Sequence, residues 1–200
     1  MARHEETEPR GGDDPAGGSG ATGPEGRFLA LYGDHYRPVY AYVYRRLPAG
    51  SPDVADLTAE VFTTAFRRIG DIPESPLDRL WLYGVAHRLL SRHHRSTDRR
   101  TRLERRLAGQ RPEEPDGDPA GGRAAAAAAA VEQLGPTDRE VVRLVLWEGL
   151  SHGEAAEVLG ITANAVGVRL HRARARLRKR LAAGEAPMAL LPPIRPNEAG

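Results

Sequence analysis

The segment from Thr137 to Leu181 constrains the fold most, because its capping residues and apolar spacing divide it into three helices. A first helix is predicted to begin at Thr137 and to end at Gly149. Ser151 is a favourable N-cap for a short second helix, which Gly160 terminates. These signals predict a small helical unit with short connections.

The third helix of this segment has apolar residues at intervals of three and four. Thr162 is its predicted N-cap, and the apolar stripe consists of Val166, Leu170, Ala173, Leu177 and Leu181. A turn of Leu159, Gly160 and Ile161 joins it to the second helix. Two helices joined by a tight turn, the second of them basic, are typical of a helix-turn-helix DNA-binding motif.

The side of the third helix opposite this stripe carries residues that can recognise bases. Asn164 can bind adenine and Arg172 can bind guanine, each through two hydrogen bonds, and Val168 can pack on a thymine methyl group. Arg169 and Arg176 lie on the flanks, where phosphates are expected. The alternative is an arginine-rich helix that is merely solvated, but the capped turn and the one-sided basic face together favour DNA binding.

Composition divides the 200 residues into two helical domains and three polar segments. Residues 1–26, 108–123 and 184–200 are rich in Gly, Pro and charged residues, so we predict two disordered tails and a flexible linker. Between them, residues 27–107 and 124–183 show helical apolar periodicity. The predicted fold is therefore all-α, with two small domains joined by the linker.

Several classes of protein are disfavoured by what the chain lacks. It contains no cysteine, so disulfides and thiolate zinc sites are excluded. No apolar run approaches the roughly 18 residues of a membrane helix, and the N-terminus has no signal-peptide core, so we predict a cytoplasmic protein without membrane insertion. His93 and His94 are adjacent and face different sides of a helix. We therefore predict no metal, cofactor or catalytic site.

The first domain is predicted to begin with two amphipathic helices. A broad aromatic-rich stripe runs from Phe28 to Leu47, with Pro38 expected to bend or restart the helix. The second helix begins at Asp53, and its carboxylates Asp53, Asp56 and Glu60 lie opposite its apolar side. Periodicity alone favours a solvated acidic face, because the helix dipole stabilises acidic residues near an N-terminus.

A third helix of this domain is predicted to start near Leu77 and to become strongly basic after its apolar first half. Its arginines include Arg88, Arg92 and Arg95. If such residues contact phosphates, each contact releases counterions and makes binding sensitive to salt. The domain therefore offers a second basic surface.

The order of these elements and four motifs resemble the extracytoplasmic-function class of bacterial RNA polymerase sigma factors. Three motifs are similar to the sigma-two domain of that class: FLALYGDHYRPVYAYVYRRL, DVADLTAEVFTTAFRRI and LDRLWLYGVAHRLLSRHHR. The segment from Leu134 to Leu181 resembles the sigma-four domain across its whole length. Four motifs in the family's order are more specific than a helix-turn-helix alone.

The resemblance implies roles for three groups of residues. The acidic residues Asp53, Asp56 and Glu60 would dock on core RNA polymerase, which replaces the interpretation as a solvated face. The minus-ten promoter element would lie beside Trp81, Arg88, Arg92 and Arg95. The minus-thirty-five element would be contacted by Thr162, Asn164, Val168, Arg169, His171, Arg172 and Arg176. The family commonly has Lys-Ser where this chain has Gly167-Val168, so recognition at these positions is expected to differ.

The resemblance implies a promoter-specificity factor that binds core polymerase as a monomer, helps to open the duplex, and is inhibited by an anti-sigma factor. One alternative is a helix-turn-helix regulator that binds duplex DNA without polymerase. Another is a nucleic-acid hydrolase, which would need carboxylates or histidines gathered in a pocket. The acidic cluster around Asp56 instead lies on the outside of a predicted helix, which disfavours the enzyme.

Overall fold

The computed structural model describes residues 23–108 and 123–183, and the secondary structure within these ranges is entirely helical. The predicted all-α class with two helical domains is therefore confirmed. The predicted linker and tails lie almost wholly outside the described residues. The exceptions are the end of the N-terminal tail, because the first helix already begins at Pro24, and the two end residues of the linker, Ala108 and Arg123, which are helical. Proline suits that position, since the first turn of a helix has no partner for its N–H group.

The first domain consists of three α-helices, α1 (Pro24–Tyr44), α2 (Asp53–Arg67) and α3 (Leu77–Ala108), with a 3-10 turn at Ile69–Asp71 before α3. Of the two effects predicted for Pro38, a bend or a restart, the restart does not occur, because helix α1 continues through this residue. The apolar faces of the helices meet in a core of Leu31, Val39, Val43, Val54, Leu57, Val61, Phe62, Ala65, Leu80 and Leu90. These buried residues recur at the helical spacing from which the amphipathic helices are predicted.

The second domain contains α4 (Arg123–Glu132), α5 (Pro136–Val142), α6 (His152–Leu159) and α7 (Ala163–Ala183). Helix α5 begins one residue before the predicted Thr137, because Gly135 occupies the N-cap and Pro136 the first turn. It is followed by a π-helical turn at Arg143–Trp147, which the sequence signals did not predict. The core of this domain includes Val141, Leu144, Ala155, Val158, Val166, Leu170, Ala173 and Leu177.

The two domains pack against each other through α3 and α6, and through α1 and the α5 region. Helix α3 is surrounded at this point, since α1 and α2 also contact it. Its residues Leu82, Tyr83, Val85 and Ala86 are all buried, although they occupy every side of the helix. No helix within the described ranges is both long and apolar enough to cross a membrane.

Candidate nucleic-acid interface

Local hydrogen bonds fix the helix-turn-helix. Ser151 and Glu154 form a capping box, in which the Ser151 hydroxyl accepts from the Glu154 backbone N–H and the Glu154 carboxylate accepts from that of Ser151, at 3.2 and 2.8 Å. Gly160 ends α6 with a φ of 65°, a conformation that favours glycine. The Thr162 hydroxyl then accepts a hydrogen bond from the Ala165 N–H at 3.2 Å. The predicted caps are therefore present.

Helix α7 has a buried side and an exposed side, as its periodicity predicts. Its stripe residues Val166, Leu170, Ala173 and Leu177 are buried, while Leu181 lies beyond the described side chains. Asn164, Val168, His171 and Arg172 are exposed, with Val168 at 41%. These four residues, called here the base-recognition face, lie opposite the buried stripe and are accessible to a DNA groove.

Two arginines on the flank of α7 that are predicted to contact phosphates both pair with one carboxylate. Arg169 donates to Asp138 Oδ1 at 2.9 Å, and Arg176 donates to Asp138 Oδ2 at 3.1 Å. Asp138 lies in the first turn of α5 and is largely buried, whereas both arginines remain substantially exposed. The structure thus places Arg169 and Arg176 against α5, to one side of the base-recognition face.

A second basic surface lies on α3. Arg88, Arg92 and Arg95 are exposed and separated by four and three residues, which places them on one side of the helix. Trp81 is only partly exposed, and the guanidinium carbon of Arg68 lies 5.8 Å from the centre of its ring. The arginines are available to phosphates, while Trp81 packs at their N-terminal side.

The acidic face of α2 borders this basic surface. Glu60 forms an ion pair with Arg92, and Asp53 Oδ2 lies 3.6 Å from His93 Nε2. Asp56 is exposed and forms no ion pair with any described side chain. Because the Glu60–Arg92 pair is solvent-exposed, it contributes only about 0–1 kcal/mol. The acidic residues are therefore not locked inside salt bridges.

The aromatic stripe of α1 is only partly buried. Phe28, Tyr32 and Tyr36 border an open groove against α2, and Tyr32 packs edge-on against Phe62 at 4.8 Å between ring centres. The groove has a volume of about 490 Å³, and Phe66 on its far wall is 52% exposed. The first domain lacks a further helix that would cover this side within the described residues.

Sequence reasoning missed a buried polar cluster between the domains, which consists of Tyr42, Arg46, Glu140 and Glu148. The Tyr42 hydroxyl donates to Glu140 at 2.8 Å, and Arg46 Nε donates to both oxygens of Glu140 at 2.9 and 3.1 Å. Arg46 Nη1 also donates to Glu148 at 3.0 Å, and its guanidinium carbon lies 3.3 Å from the centre of the Tyr42 ring. This cluster joins α1 to the α5 region across the domain interface.

Burial and charge perturb the ionisation of this cluster. Burial raises the pKa of the Tyr42 phenol well above its usual value, as does the carboxylate of Glu140, so the hydroxyl is a hydrogen-bond donor. Burial alone would raise the pKa of Glu140, but the Arg46 charge and hydrogen bonds outweigh it and the pKa is lowered. Glu140 is thus a carboxylate facing the Arg46 guanidinium.

Comparison with known proteins identifies the family. A family model for Sigma-70 region 2 matches residues 31–100, and a model for Sigma-70 region 4 matches residues 124–177. These are the three-helix domain and the helix-turn-helix domain, in that order. The chain belongs to the sigma-70 family of RNA polymerase sigma factors.

The more particular assignment within that family is the extracytoplasmic-function class. The chain is 32% identical over 153 residues to the extracytoplasmic-function RNA polymerase sigma factor BldN of Streptomyces coelicolor. The match covers 73% of this chain but 57% of BldN, so it spans little more than half the length of that relative.

Two solved structures have a similar fold. The sigma factor RpoE in complex with the anti-sigma factor NepR from Bartonella quintana aligns with a TM-score of 0.57 at 20% identity, over 78% of this chain and 96% of that one. CnrH in complex with the cytosolic domain of CnrY aligns with a TM-score of 0.54 at 28% identity, over 78% and 88%. At 20% identity, the first likeness concerns the fold alone.

Proposed function

We propose that the chain directs core RNA polymerase to specific promoters. The observation that carries this proposal is the base-recognition face of α7, which is exposed while the opposite side of the helix is buried. A protein that bound DNA only through charge would not need Asn164 and Val168 between its arginines. The chain also carries a second exposed basic surface on α3, as a factor that contacts two promoter elements requires.

In this function, the base-recognition face lies in the major groove of the minus-thirty-five element. Asn164 and Arg172 hydrogen-bond to base edges, Val168 contacts a thymine methyl group, and His171 lies at the edge of the groove. Thr162, at the N-terminus of α7, contacts the backbone with Arg169 and Arg176. Both arginines exchange one contact with Asp138 for a phosphate.

The first domain contacts the minus-ten element and the polymerase through neighbouring surfaces. Arg88, Arg92 and Arg95 bind phosphates on one side of α3, and Trp81 supplies a ring near the opened bases. The acidic face of α2, with Asp53, Asp56 and Glu60, binds a basic surface of core polymerase. Duplex opening then occurs beside the surface that holds the enzyme, which supplies the catalysis; this chain supplies none.

The partners follow from the same assignment. The chain binds core polymerase as a monomer, acts in the cytoplasm, and is inhibited by an anti-sigma factor when transcription from its promoters is not required. Support for the last point comes from the two similar structures, which are of RpoE with the anti-sigma factor NepR and of CnrH with the cytosolic domain of CnrY.

A mobility-shift experiment tests this function. In vitro transcription from a random promoter library with core polymerase first supplies the promoter sequence, and a duplex of that sequence is then mixed with chain, core enzyme or both. We expect a specific complex only when both are present. Tight binding by the chain alone, as a dimer, would instead support the stand-alone helix-turn-helix regulator.

A further inference from the structure

The loop between α2 and α3 is tied to the start of α1 by a single guanidinium group. Arg27 Nη1 donates to the backbone oxygen of Ile69 at 3.0 Å, while Nη2 donates to that of Ile72 and reaches that of Pro73 at 3.5 Å. A guanidinium presents its N–H donors in a rigid planar fork, so carbonyls that share it are held at fixed separations. Arg27 therefore fixes the loop backbone on both sides of the two residues between Ile69 and Ile72.

A second contact from α1 holds the opposite end of the loop. His35 Nε2 lies 2.9 Å from Asp78 Oδ2, and the two side chains are only 15% and 13% exposed. The other oxygen of Asp78 accepts from the backbone N–H of Arg79 at 2.7 Å, which orients the carboxylate in the first turn of α3. Arg27 and His35 are eight residues apart on α1, or about 12 Å. Helix α1 thus holds both the entry and the exit of the loop.

The Arg27 contact orients the loop, while a buried side chain anchors it. Ile72 is 3% exposed and belongs to the hydrophobic core, so its burial fixes the depth of the loop. Arg27 is exposed, and hydrogen bonds that compete with water contribute little to the free energy of unfolding. Removal of its guanidinium should therefore release the loop backbone without unfolding the domain.

The oriented loop leads to the surface proposed for the minus-ten element, and this inference rests on that proposed function. Arg68, at the start of the loop, donates to Asp71 Oδ2 at 2.9 Å, and its guanidinium carbon lies 5.8 Å from the centre of the Trp81 ring. A rotation of the 3-10 turn at Ile69–Asp71 would move Arg68 and so change what covers Trp81. A ring that receives an opened base has to be held in place by its surroundings, since stacking depends on the position of both rings.

We propose that Arg27 is a positioning residue for recognition of the minus-ten element. It orients the α2–α3 loop, the loop holds Arg68 against Trp81, and Trp81 meets the opened bases. Arg27 itself does not contact DNA, because both of its terminal nitrogens donate to the loop. The preference among bases at the minus-ten element thus depends on a residue of α1, on a different helix from Trp81.

Tryptophan fluorescence tests the position of the loop without polymerase or DNA. The chain has two tryptophans, and Trp147 is exposed in the second domain, so Trp147→Phe leaves Trp81 as the only emitter. In that background we expect Arg27→Gln to increase acrylamide quenching of Trp81 and to shift its emission to longer wavelength, because Arg68 no longer covers the ring. Arg37→Gln removes the same charge from another exposed site of α1 and should change neither property.

Base preference is then measured on DNA that is already open. Polymerase carrying each variant is bound to duplexes whose minus-ten segment is unpaired, with one non-template base changed at a time. A wrong base typically lowers affinity about 5- to 150-fold. We expect Arg27→Gln to lose most of this ratio while its affinity for core polymerase and its preference at the minus-thirty-five element stay unchanged. Arg27→Lys keeps the charge but cannot span the carbonyls with its single nitrogen, so it should lose the ratio as well.

The outcomes separate positioning from a structural role. A lower midpoint of thermal unfolding, with an equal loss of affinity for every DNA, would make Arg27 a structural residue and overturn the proposal. Full base preference in Arg27→Lys would also overturn it, and this variant carries the test if Arg27→Gln does not fold. Lost preference with unchanged Trp81 emission would mean that Arg27 acts on DNA directly, against the proposal. An unsubstituted chain without base preference refutes the proposed minus-ten contact, whereas the Trp81 emission still tests the orientation of the loop.

Discussion

Replacement of Arg172 by alanine tests base recognition by α7 most directly. Arg172 is exposed and forms no ion pair within the described ranges 23–108 and 123–183, so no existing interaction has to break before it binds DNA. A bidentate contact with guanine contributes about 1–3 kcal/mol of discrimination. The Arg172→Ala variant should therefore lose about 5- to 150-fold in affinity for its preferred minus-thirty-five element, at ~1.4 kcal/mol per tenfold change.

Arg169 provides the matched comparison, because it lies on the same helix but is already paired with Asp138 at 2.9 Å. Its contact with a phosphate replaces an ion pair in which the Arg169 side chain is exposed to solvent, and solvent-screened pairs contribute only about 0.2–1 kcal/mol. We expect Arg169→Ala to lose less than about fivefold in affinity. The loss should be nearly the same for every upstream sequence, since a phosphate carries no sequence information.

The assay measures the fluorescence anisotropy of labelled duplexes as polymerase bound to this chain is added. Each base pair of the upstream element is changed in turn. Binding is measured at several salt concentrations, because phosphate contacts alone set the salt dependence. Arg172→Ala should become indifferent to one base pair, whereas Arg169→Ala should retain every preference. An equal loss on all duplexes for Arg172→Ala would refute base recognition by this residue.

Three further outcomes are expected. Gly167→Ala should raise the free energy of unfolding by about 0.5–1 kcal/mol, because a Cβ atom would approach only the exposed His152 ring, at 3.5 Å; unchanged or lower stability in urea unfolding would contradict this. Asp56→Arg should weaken binding to core polymerase while circular dichroism stays unchanged, and normal affinity would return the acidic face to a solvated role. Burial lowers the pKa of His87 from 6.5, with the Arg46 charge adding to it and Glu140 opposing it. His87 therefore takes up a proton at a higher pH in the unfolded chain than in the folded chain, and the free energy of unfolding should fall as the pH drops below 6.5. If the His87→Gln variant had the same pH dependence of stability as the unsubstituted chain, this origin would be contradicted.

The helices could be predicted from the sequence because their signals are local. Ser151, Gly160 and Thr162 act on backbone groups within four residues, and the structure contains the caps that they predict. The stripe on α7 is likewise a property of one helix, so its buried and exposed sides follow from spacing alone. Helix α5 begins one residue before the predicted start at Thr137, because proline, which interrupts the interior of a helix, is well tolerated in its first turn.

The polar cluster between the domains could not be predicted, because its members are far apart in sequence. Arg46 and Glu140 are separated by 94 residues, and each resembles an ordinary solvated charge in its own helix. One available signal was the run from Leu80 to Ala86, which has apolar residues or glycine on every side of α3. A helix that is apolar all round is buried all round. That run could have indicated that α3 packs against a second domain.

The strengths of the ion pairs differ in the way that the proposed cycle of binding requires. Glu60 must leave Arg92 when polymerase and DNA bind, and Arg169 must leave Asp138 when α7 meets a phosphate. Arg92, Glu60 and Arg169 are exposed, and the largely buried Asp138 keeps Arg176 as a partner when Arg169 leaves. Each exchange is therefore expected to change the free energy by about 1 kcal/mol or less. The Arg46–Glu140 pair is buried, and removal of one partner would leave an uncompensated charge at a cost of about 3–5 kcal/mol. The Arg46–Glu140 pair is therefore sensitive to the loss of either partner, whereas the exposed side chains of the other two pairs can exchange partners at little cost.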